Sequence, residues 1–339
     1  MPALALAERL REQGHEPLLL TEGREVEHDL LARAGATSAS LQVGRRTLLL
    51  PLRIAAATLA ARRLMRDRGI DLVLGTGGKT SIPAGLAARS LGLPLCLLEQ
   101  NATTGRSNRL LSPLATRVYL GLPQPHASAR ALMTGTPMRR GIGEVERASA
   151  RQQLGLEPDL PVLLVMGGSQ GATALNTIVP KALCALRRPL QILHLSGRGA
   201  EEGVRLLYDA GQERGLTAHV RALVQDMPAY YAAADLVICR GGGCTVAELM
   251  RAARPAIIVP YPHHRDRQQF WNGMVLERAR AGLVLEQSHL SVTGLAALIE
   301  SFLRRPEELA AMGERSRALA PVDPSAAILA DLRLVANLN

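Results

Sequence analysis

Four loop segments hold residues whose types and spacing suit chemistry. In VLLVMGGSQGATALN, residues 162–176, an apolar run ends in glycines and a helical pattern follows. Such a turn lets the backbone approach an anion closely, and the helix behind it offers N–H groups and the positive end of its dipole. No Asp or Glu occurs between Leu160 and Ala200, so no carboxylate there repels a phosphate. Ser169, Gln170 and Gly171 sit in the loop itself; a tight strand-to-helix turn with no ligand is the alternative reading. The dinucleotide fingerprint needs GxGxxG and an acid about 20 residues on, and both are missing, so NAD is not predicted.

The second segment, CRGGGCTVAELM at 239–250, opens a helix that carries Glu248. A carboxylate there either accepts both hydrogen bonds of a ribose diol or complements its helix dipole. The third, HHRDRQQFWN at 263–272, offers two donors and two acceptors on the adjacent amides Gln268 and Gln269, which suits a polyhydroxylated sugar. His263 and His264 have no third ligand at a recognisable spacing, so no metal is predicted. The fourth, GTGGKTS at 75–81, ends like a Walker A loop. That motif needs a glycine where Val73 stands, so nucleotide hydrolysis there is not predicted, and a loop packed at a domain cleft is the plain alternative.

These segments must be held by regular elements. Short apolar runs recur as PLLLTE at 17–22, DLVLGTGG at 71–78, PLCLLEQN at 94–101 and PVLLVMGGSQG at 161–171. LQILHLSG at 190–197, DLVICRGGG at 235–243 and AIIVPYP at 256–262 continue the series. Continuous apolar runs are strands buried on both faces, and their alternation with helices gives parallel βαβ units. Ligands gather at the carboxyl ends of such strands, where every glycine cluster falls. The predicted class is α/β with two doubly wound, Rossmann-like domains. Length supports two: 339 residues against about 150 per domain. Gly, Pro and charge break the rhythm at 134–150, which predicts domains of 1–138 and 139–321, with a helix over 322–339 crossing back to the first.

Composition narrows the classes further. A 47% hydrophobic chain has ample core and is not disordered. The net charge of +10 is carried by arginine, since Lys79 and Lys181 are the only lysines. Codon bias explains such a balance, and so does an anionic partner. Nucleic acid is not predicted, because aromatics for base stacking make up only 2% of the chain. Cys96, Cys184, Cys239 and Cys244 form no CxxC pair, the pattern of reduced buried thiols. Glu8 and Arg9 interrupt the apolar start, so no secretory segment is predicted, and the uncharged stretch Leu160–Pro180 contains GGSQG and fails as a membrane span. Residues 48–69 join apolar side chains to Arg53, Arg62, Arg63, Arg66 and Arg68, as a solvated crossover helix or as a patch on anionic lipid.

Six motifs in order resemble the MurG-type glycosyltransferases over essentially the whole chain. They are GTGG with Ser81 and Pro83, EQNATTGRSNRLL at 99–111, GTPMR at 135–139, GGSQGA at 167–172, CRGGGCTVAE at 239–248 and DRQQFWN at 266–272. The resemblance implies a GT-B fold and inverting transfer of N-acetylglucosamine from UDP-GlcNAc to the 4-hydroxyl of the muramoyl sugar of lipid I, giving lipid II for peptidoglycan. It implies no cofactor or chelated metal, and a peripheral place on the cytoplasmic face of the membrane with residues 48–69 on anionic lipid. Ser169, Gln170 and Gly171 then meet the UDP diphosphate, with Asn101 and Arg139 lining the donor cleft. Val224 stands where the family reads uracil with a backbone group. Gly243, Cys244, Thr245, Val246, Ala247 and Glu248 hold the α-phosphate side and the ribose, and Gln268 and Gln269 read the sugar. Gly75, Gly77, Gly78 and Ser81 form an acceptor-side loop.

The family's chain opens with a strand and a GGTGGHxxPALA loop whose histidine is the expected base, whereas this sequence begins at PALA. The resemblance therefore puts the catalytic base upstream of Met1 and leaves the first domain without its first strand. A start assigned too far downstream accounts for this, with a truncated inactive copy as the alternative. His15 lies about 20 Å along the first helix at 1.5 Å per residue and cannot substitute. Leu98, Thr136 and Lys79 also depart from the family pattern. Other functions in view are a degenerate GT-B protein that binds without turnover and a UDP-GlcNAc epimerase.

Overall fold

The computed structural model describes residues 2–23, 31–32, 34–44, 50–125 and 127–336. The first two residues of the 48–69 stretch fall outside these. The chain divides into two compact units, Met1–Arg139 with Pro321–Asn339, and Arg140–Ala320.

The elements of the first unit open with α1 (Pro2–Glu12), β1 (Leu19–Thr21), β2 (Ser38–Ser40), α2 (Leu50–Asp67) and β3 (Val73–Gly75). They continue with α3 (Ser81–Ser90), β4 (Leu95–Glu99), α4 (Arg106–Leu111), β5 (Arg117–Leu120) and β6 (Ala131–Met133). The second unit runs through α5 (Arg147–Gln153), β7 (Val162–Met166), α6 (Thr173–Cys184), β8 (Leu190–Leu195), α7 (Glu201–Asp209) and β9 (Leu216–Arg221). It continues through α8 (Met227–Ala233), β10 (Leu236–Cys239), α9 (Gly243–Arg251), β11 (Ala256–Ile258), α10 (Gln268–Arg278) and β12 (Gly282–Val284). It ends with α11 (Val292–Leu303) and α12 (Pro306–Ala318), after which α13 (Pro324–Ala336) rejoins the first unit.

In the first unit β3-β4-β5-β6 form one parallel sheet, and β1 and β2 pair parallel apart from it. Strand β4 shows why its sequence is apolar throughout. Leu95 and Leu97 join a core with α2 and α3 through Ala61, Met65, Ala84 and Ala87. Cys96 and Leu98, on the opposite face, join Leu6 of α1 and Ile328, Leu329 and Leu332 of α13. Period-two alternation thus serves two cores, with each buried leucine contributing about 1.5–3 kcal/mol. Tyr119 donates from its hydroxyl to Asp331 at 2.8 Å, and Arg9 pairs with Asp323 at 3.1 Å, so α13 is fixed to this unit by polar contacts as well.

Helix α1 is shorter than its pattern suggested. Gly14, at φ +82°, ends it with bonds from Gly14 N–H to Arg11 and from His15 N–H to Leu10, so His15 lies beyond the helix. Cys96, Cys184 and Cys239 are buried, and burial pushes the thiols of Cys96 and Cys239 up to about 11 and about 12. Cys244 is partly exposed. Among the described residues no helix is long and apolar enough to cross a membrane.

The second unit is built on a six-stranded parallel sheet in the order β12-β11-β10-β7-β8-β9. The chain winds outward from β7 through β8 to β9, then returns to place β10 against the other side of β7. Leu163, Val165, Ile192, Ile238 and Ile257 face one core with Leu175, Val179 and Leu183 of α6 and Leu295 and Ile299 of α11.

Candidate functional site

The winding of the second sheet reverses between β7 and β10, which pair directly from Leu163–Leu236 to Met166–Cys239. At such a switch point the loops leaving two neighbouring strands diverge and open a crevice beyond their carboxyl ends. The loops here are Gly167–Ala172 and Arg240–Gly242. Each feeds a helix, α6 or α9, whose first turn has no side-chain cap. Two positive dipole ends therefore face one crevice, an arrangement suited to a diphosphate.

The first loop is fixed from below. Gly168 and Gly171 have φ of +85° and +72°, and a Cβ on Gly171 would lie 2.3 Å from the Ser196 carbonyl oxygen. Asn176 of α6 donates to that same carbonyl at 2.8 Å. Its amide oxygen meets His194 Nε2 at 3.1 Å, and His194 Nδ1 meets the Tyr208 hydroxyl at 2.8 Å. Asn176 presents its oxygen to the ring, so Nε2 carries the proton and Nδ1 accepts from Tyr208. Ser169 and Gln170 stay exposed at the loop tip.

Burial lowers the His194 pKa from 6.5 to about 3 and keeps the ring neutral in the folded chain. Below pH 6.5 the unfolded chain takes up a proton that the folded chain refuses, so stability falls with pH by about 1.4 kcal/mol per unit. Between pH 6.5 and 5 His194 accounts for a loss of about 2 kcal/mol. Denaturant unfolding of His194→Gln at both pH values is expected to lack that loss; an unchanged slope would assign it elsewhere.

The second loop is packed against α10. A Cβ on Gly241 would lie 2.2 Å from the Gln269 carbonyl oxygen, and buried Asn272 donates to Gly241 O at 2.9 Å. Arg240 is turned away, donating to Val259 O and Pro260 O at 3.0 Å each and to Gln287 at 2.7 Å. Glu248 is buried, and the Tyr231 hydroxyl of α8 donates to its Oε2 at 3.0 Å. It is the sixth residue of α9, past the first turn where a helix dipole acts, so the dipole reading of this carboxylate gives way.

Other predicted residues take definite places. Gly243, Cys244 and Thr245 form the first turn of α9. Val246 and Ala247 have buried side chains, and Val246 N–H bonds Gly242 O. Gln268 and Gln269 open α10, and Gln269 Oε1 accepts from Tyr261 N–H at 2.9 Å, which leaves its NH2 as the group to offer. Val224 follows β9 at the far edge of the sheet, and no hydrogen bond to another described residue engages its backbone. Ser169–Gly171, Gly243–Thr245, Glu248, Val224 and the two glutamines therefore share one rim. His263 and His264 pack edgewise on Tyr261, and no three His, Cys, Asp or Glu gather into a metal cluster among the described residues.

Asn101, Arg139 and the 75–81 loop belong to the first unit. Gly77 and Gly78, at φ +88° and +83°, shape the loop after Gly75 at the end of β3. Ser81 donates to Gly77 O at 2.6 Å, so its hydroxyl closes the turn. Gln100 Nε2 donates to Thr76 O at 3.2 Å and ties this loop to the one after β4. The centre of that second loop is Glu99, which the sequence reading passed over. Its buried carboxylate accepts from Asn101 N–H and Nδ2 at 3.1 and 2.8 Å, Gly105 N–H at 2.8 Å and Asn108 Nδ2 at 2.9 Å. An acid ending an apolar strand, with two asparagines close behind, is the signal that could have found it. Tyr231 had no local signal.

These features define a nucleotide-binding α/β protein of two parallel-sheet units of the GT-B type. The sequence predicts that both are doubly wound; the second is, whereas the first, in the sequential order β3-β4-β5-β6 among the described residues, is not. Residues 1–120 match the glycosyltransferase family 28 N-terminal domain and residues 162–325 the family's C-terminal domain. The chain is 37% identical, over 99% of its length and 94% of the relative's, to the UDP-N-acetylglucosamine–N-acetylmuramyl-(pentapeptide) pyrophosphoryl-undecaprenol N-acetylglucosamine transferase of Cronobacter sakazakii. It is similar to the crystal structure of Acinetobacter baumannii MurG, with TM-score 0.81 and 32% identity, covering 98% of this chain and 94% of that one. A UDP-GlcNAc 2-epimerase from Neisseria meningitidis shares the fold at TM-score 0.68 and 13% identity, covering 98% and 96%. The chain belongs to glycosyltransferase family 28.

Proposed function

We propose that this chain transfers N-acetylglucosamine from UDP-GlcNAc to the muramoyl 4-hydroxyl of lipid I, giving lipid II for peptidoglycan. The observation that carries the reading is the pair of uncapped helix N-termini at the β7/β10 switch point with buried Glu248 beside them. The strands β11-β10-β7-β8-β9 are spaced about 4.8 Å apart, so the rim from Gln269 to Val224 extends about 19 Å, the scale of an extended nucleotide sugar. Along it Gln268 and Gln269 meet the sugar, the α6 and α9 N-termini and Ser169 meet the diphosphate, Glu248 accepts from the ribose diol and Val224 meets the base. As the acceptor oxygen bonds to the anomeric carbon, the sugar–phosphate bond breaks, its electron pair goes to the diphosphate, and the hydroxyl proton passes to solvent. Fixed N–H dipoles stabilise that charge at little reorganisation cost.

The test supplies UDP-GlcNAc with and without a lipid I analogue. UDP release only with acceptor supports the reading. Epimerised donor without acceptor would make the chain an epimerase, and calorimetric binding without transfer would make it a binding protein.

The acceptor's lipid tail brings the protein to a membrane, and α2 supplies a surface for it. Ala57, Ala61 and Met65 form its buried stripe, while Leu52 and Leu59 are 68% and 60% exposed. At 100° per residue Leu52, Leu59, Arg63 and Arg66 share one outward face. An apolar face edged with arginine suits the cytoplasmic leaflet, each cation adding about 1 kcal/mol near anionic lipid. Replacing Arg63 and Arg66 together by Gln is expected to weaken binding to phosphatidylglycerol vesicles about 30-fold. Sedimentation that stays unchanged would remove α2 from the membrane contact.

A further inference from the structure

The second unit carries a cavity at the opposite end of its sheet from the glycine loops. It holds about 240 Å³ and lies at the amino ends of β7, β10 and β11, where Pro161, Asp235 and Pro255 line it. Leu303 and Leu309 of α11 and α12 supply an apolar wall. An apolar cavity of about 150 Å³ already holds a benzene, so this one has room for a small molecule.

Its ion pairing leaves one guanidinium over. Asp235 is fully engaged: Arg147 pairs with Oδ1, while Arg151 at 2.7 Å and Val162 N–H at 2.8 Å meet Oδ2. Arg151 also donates to the Ala233, Pro158 and Leu160 carbonyls. Asp159, on the exposed rim, is the remaining carboxylate of the lining. Among the described residues Arg254 has no carboxylate partner. One guanidinium nitrogen donates to Ala234 O at 2.9 Å, and its buried Nε has no hydrogen-bond partner. Two guanidiniums, Arg147 and Arg254, thus line the partly enclosed space with two carboxylates, and because Arg147 and Arg151 behind the wall share Asp235, the buried hydrogen-bond deficit falls on Arg254. Desolvation first, then the neighbouring Arg147, lowers the pKa of Arg254 to about 10, so its charge is poorly compensated as it stands.

We propose that this cavity is a second ligand site, which takes a small oxyanion with a compact apolar body, its carboxylate or phosphate on Arg254 and Arg147 and its body against Leu303 and Leu309. An oxyanion there supplies the paired counter-charge that Arg254 lacks, and a charge-assisted hydrogen bond is about twice as strong as a neutral one. The five residues of β7, at about 3.3 Å each, separate this site from the glycine loop by about 17 Å. The site stands independently of the donor reading.

The experiment titrates benzoate and inorganic phosphate, separately, into the full chain at low salt with the donor site saturated by UDP, and follows binding by calorimetry. Saturable binding of either anion is expected, and it should weaken at least tenfold in Arg254→Met while UDP affinity stays as in the parent. Arg147→Gln, on the exposed rim, is the second variant should Arg254→Met fail to fold, and it carries the same expectation. Benzoate binding more tightly than phosphate identifies a carboxylate site with an apolar body, and phosphate alone a phosphate site. Absence of saturable binding by both anions, or binding that survives the variants, overturns the proposal.

Discussion

Glu248→Ala is expected to lower affinity for UDP-GlcNAc about 10- to 150-fold, the equivalent of a charged hydrogen bond worth about 1.5–3 kcal/mol. The carboxylate is buried and one oxygen is held by Tyr231, so it is oriented before any ligand arrives. A ribose diol meeting it gives up water for an acceptor already in place. Glu248→Gln keeps the shape and loses the charge, and should fall between the parent and the alanine variant. Tyr231→Phe leaves the charge but frees the carboxylate to rotate, so a smaller loss of a few-fold is expected. Calorimetry with UDP-GlcNAc, paired with denaturant unfolding, separates the roles. An alanine variant that loses stability with unchanged donor affinity would make the Tyr231–Glu248 pair a tie between α8 and α9 and nothing more.

The second large effect is expected at Gly171. Alanine there meets two obstacles at once: a left-handed φ of +72° and a Cβ position 2.3 Å from the Ser196 carbonyl oxygen. The neighbour is backbone and cannot rotate aside, and Gly197 approaches from the other direction, its own Cβ position 2.4 Å from Gly171 N. The loop must lift off the turn after β8, and with it the α6 N-terminus moves. A stability loss of about 2–4 kcal/mol is expected, together with a fall in UDP affinity beyond 100-fold. Gly168→Ala is the matched control. Its φ is +85° but open space surrounds it, so only the left-handed cost of about 1–2 kcal/mol applies. Equal behaviour of the two variants would show that the packing on Ser196 does not hold the loop.

Much of the fold was legible because its signals are local. In β4 the run Leu95–Leu98 is continuous, and the structure explains it by two separate cores on the two faces. The strand-glycine-helix order of 162–176 and 239–250 likewise became β7 to α6 and β10 to α9. The end of α1 was less legible, since Gly14 stops the helix before His15 while the residue pattern runs on. Val246 and Ala247 show the limit at the site. Motif membership does not say which of the side chains are buried.

By itself the sequence determined the α/β class, the order of strands and helices, and which loops carry glycine, because periods of two and 3.6 and a positive-φ requirement are written residue by residue. Only the tertiary structure decided which of those loops meet. That β10 lies against β7, bringing the loop after Met166 out beside the loop after Cys239 and opening the crevice, follows from right-handed crossovers that cover both faces of one sheet. The same long-range packing brought the Tyr231 hydroxyl to Glu248 and Asn176 to His194. A buried polar group must find its partner wherever the fold delivers one, and no short-range pattern records that delivery.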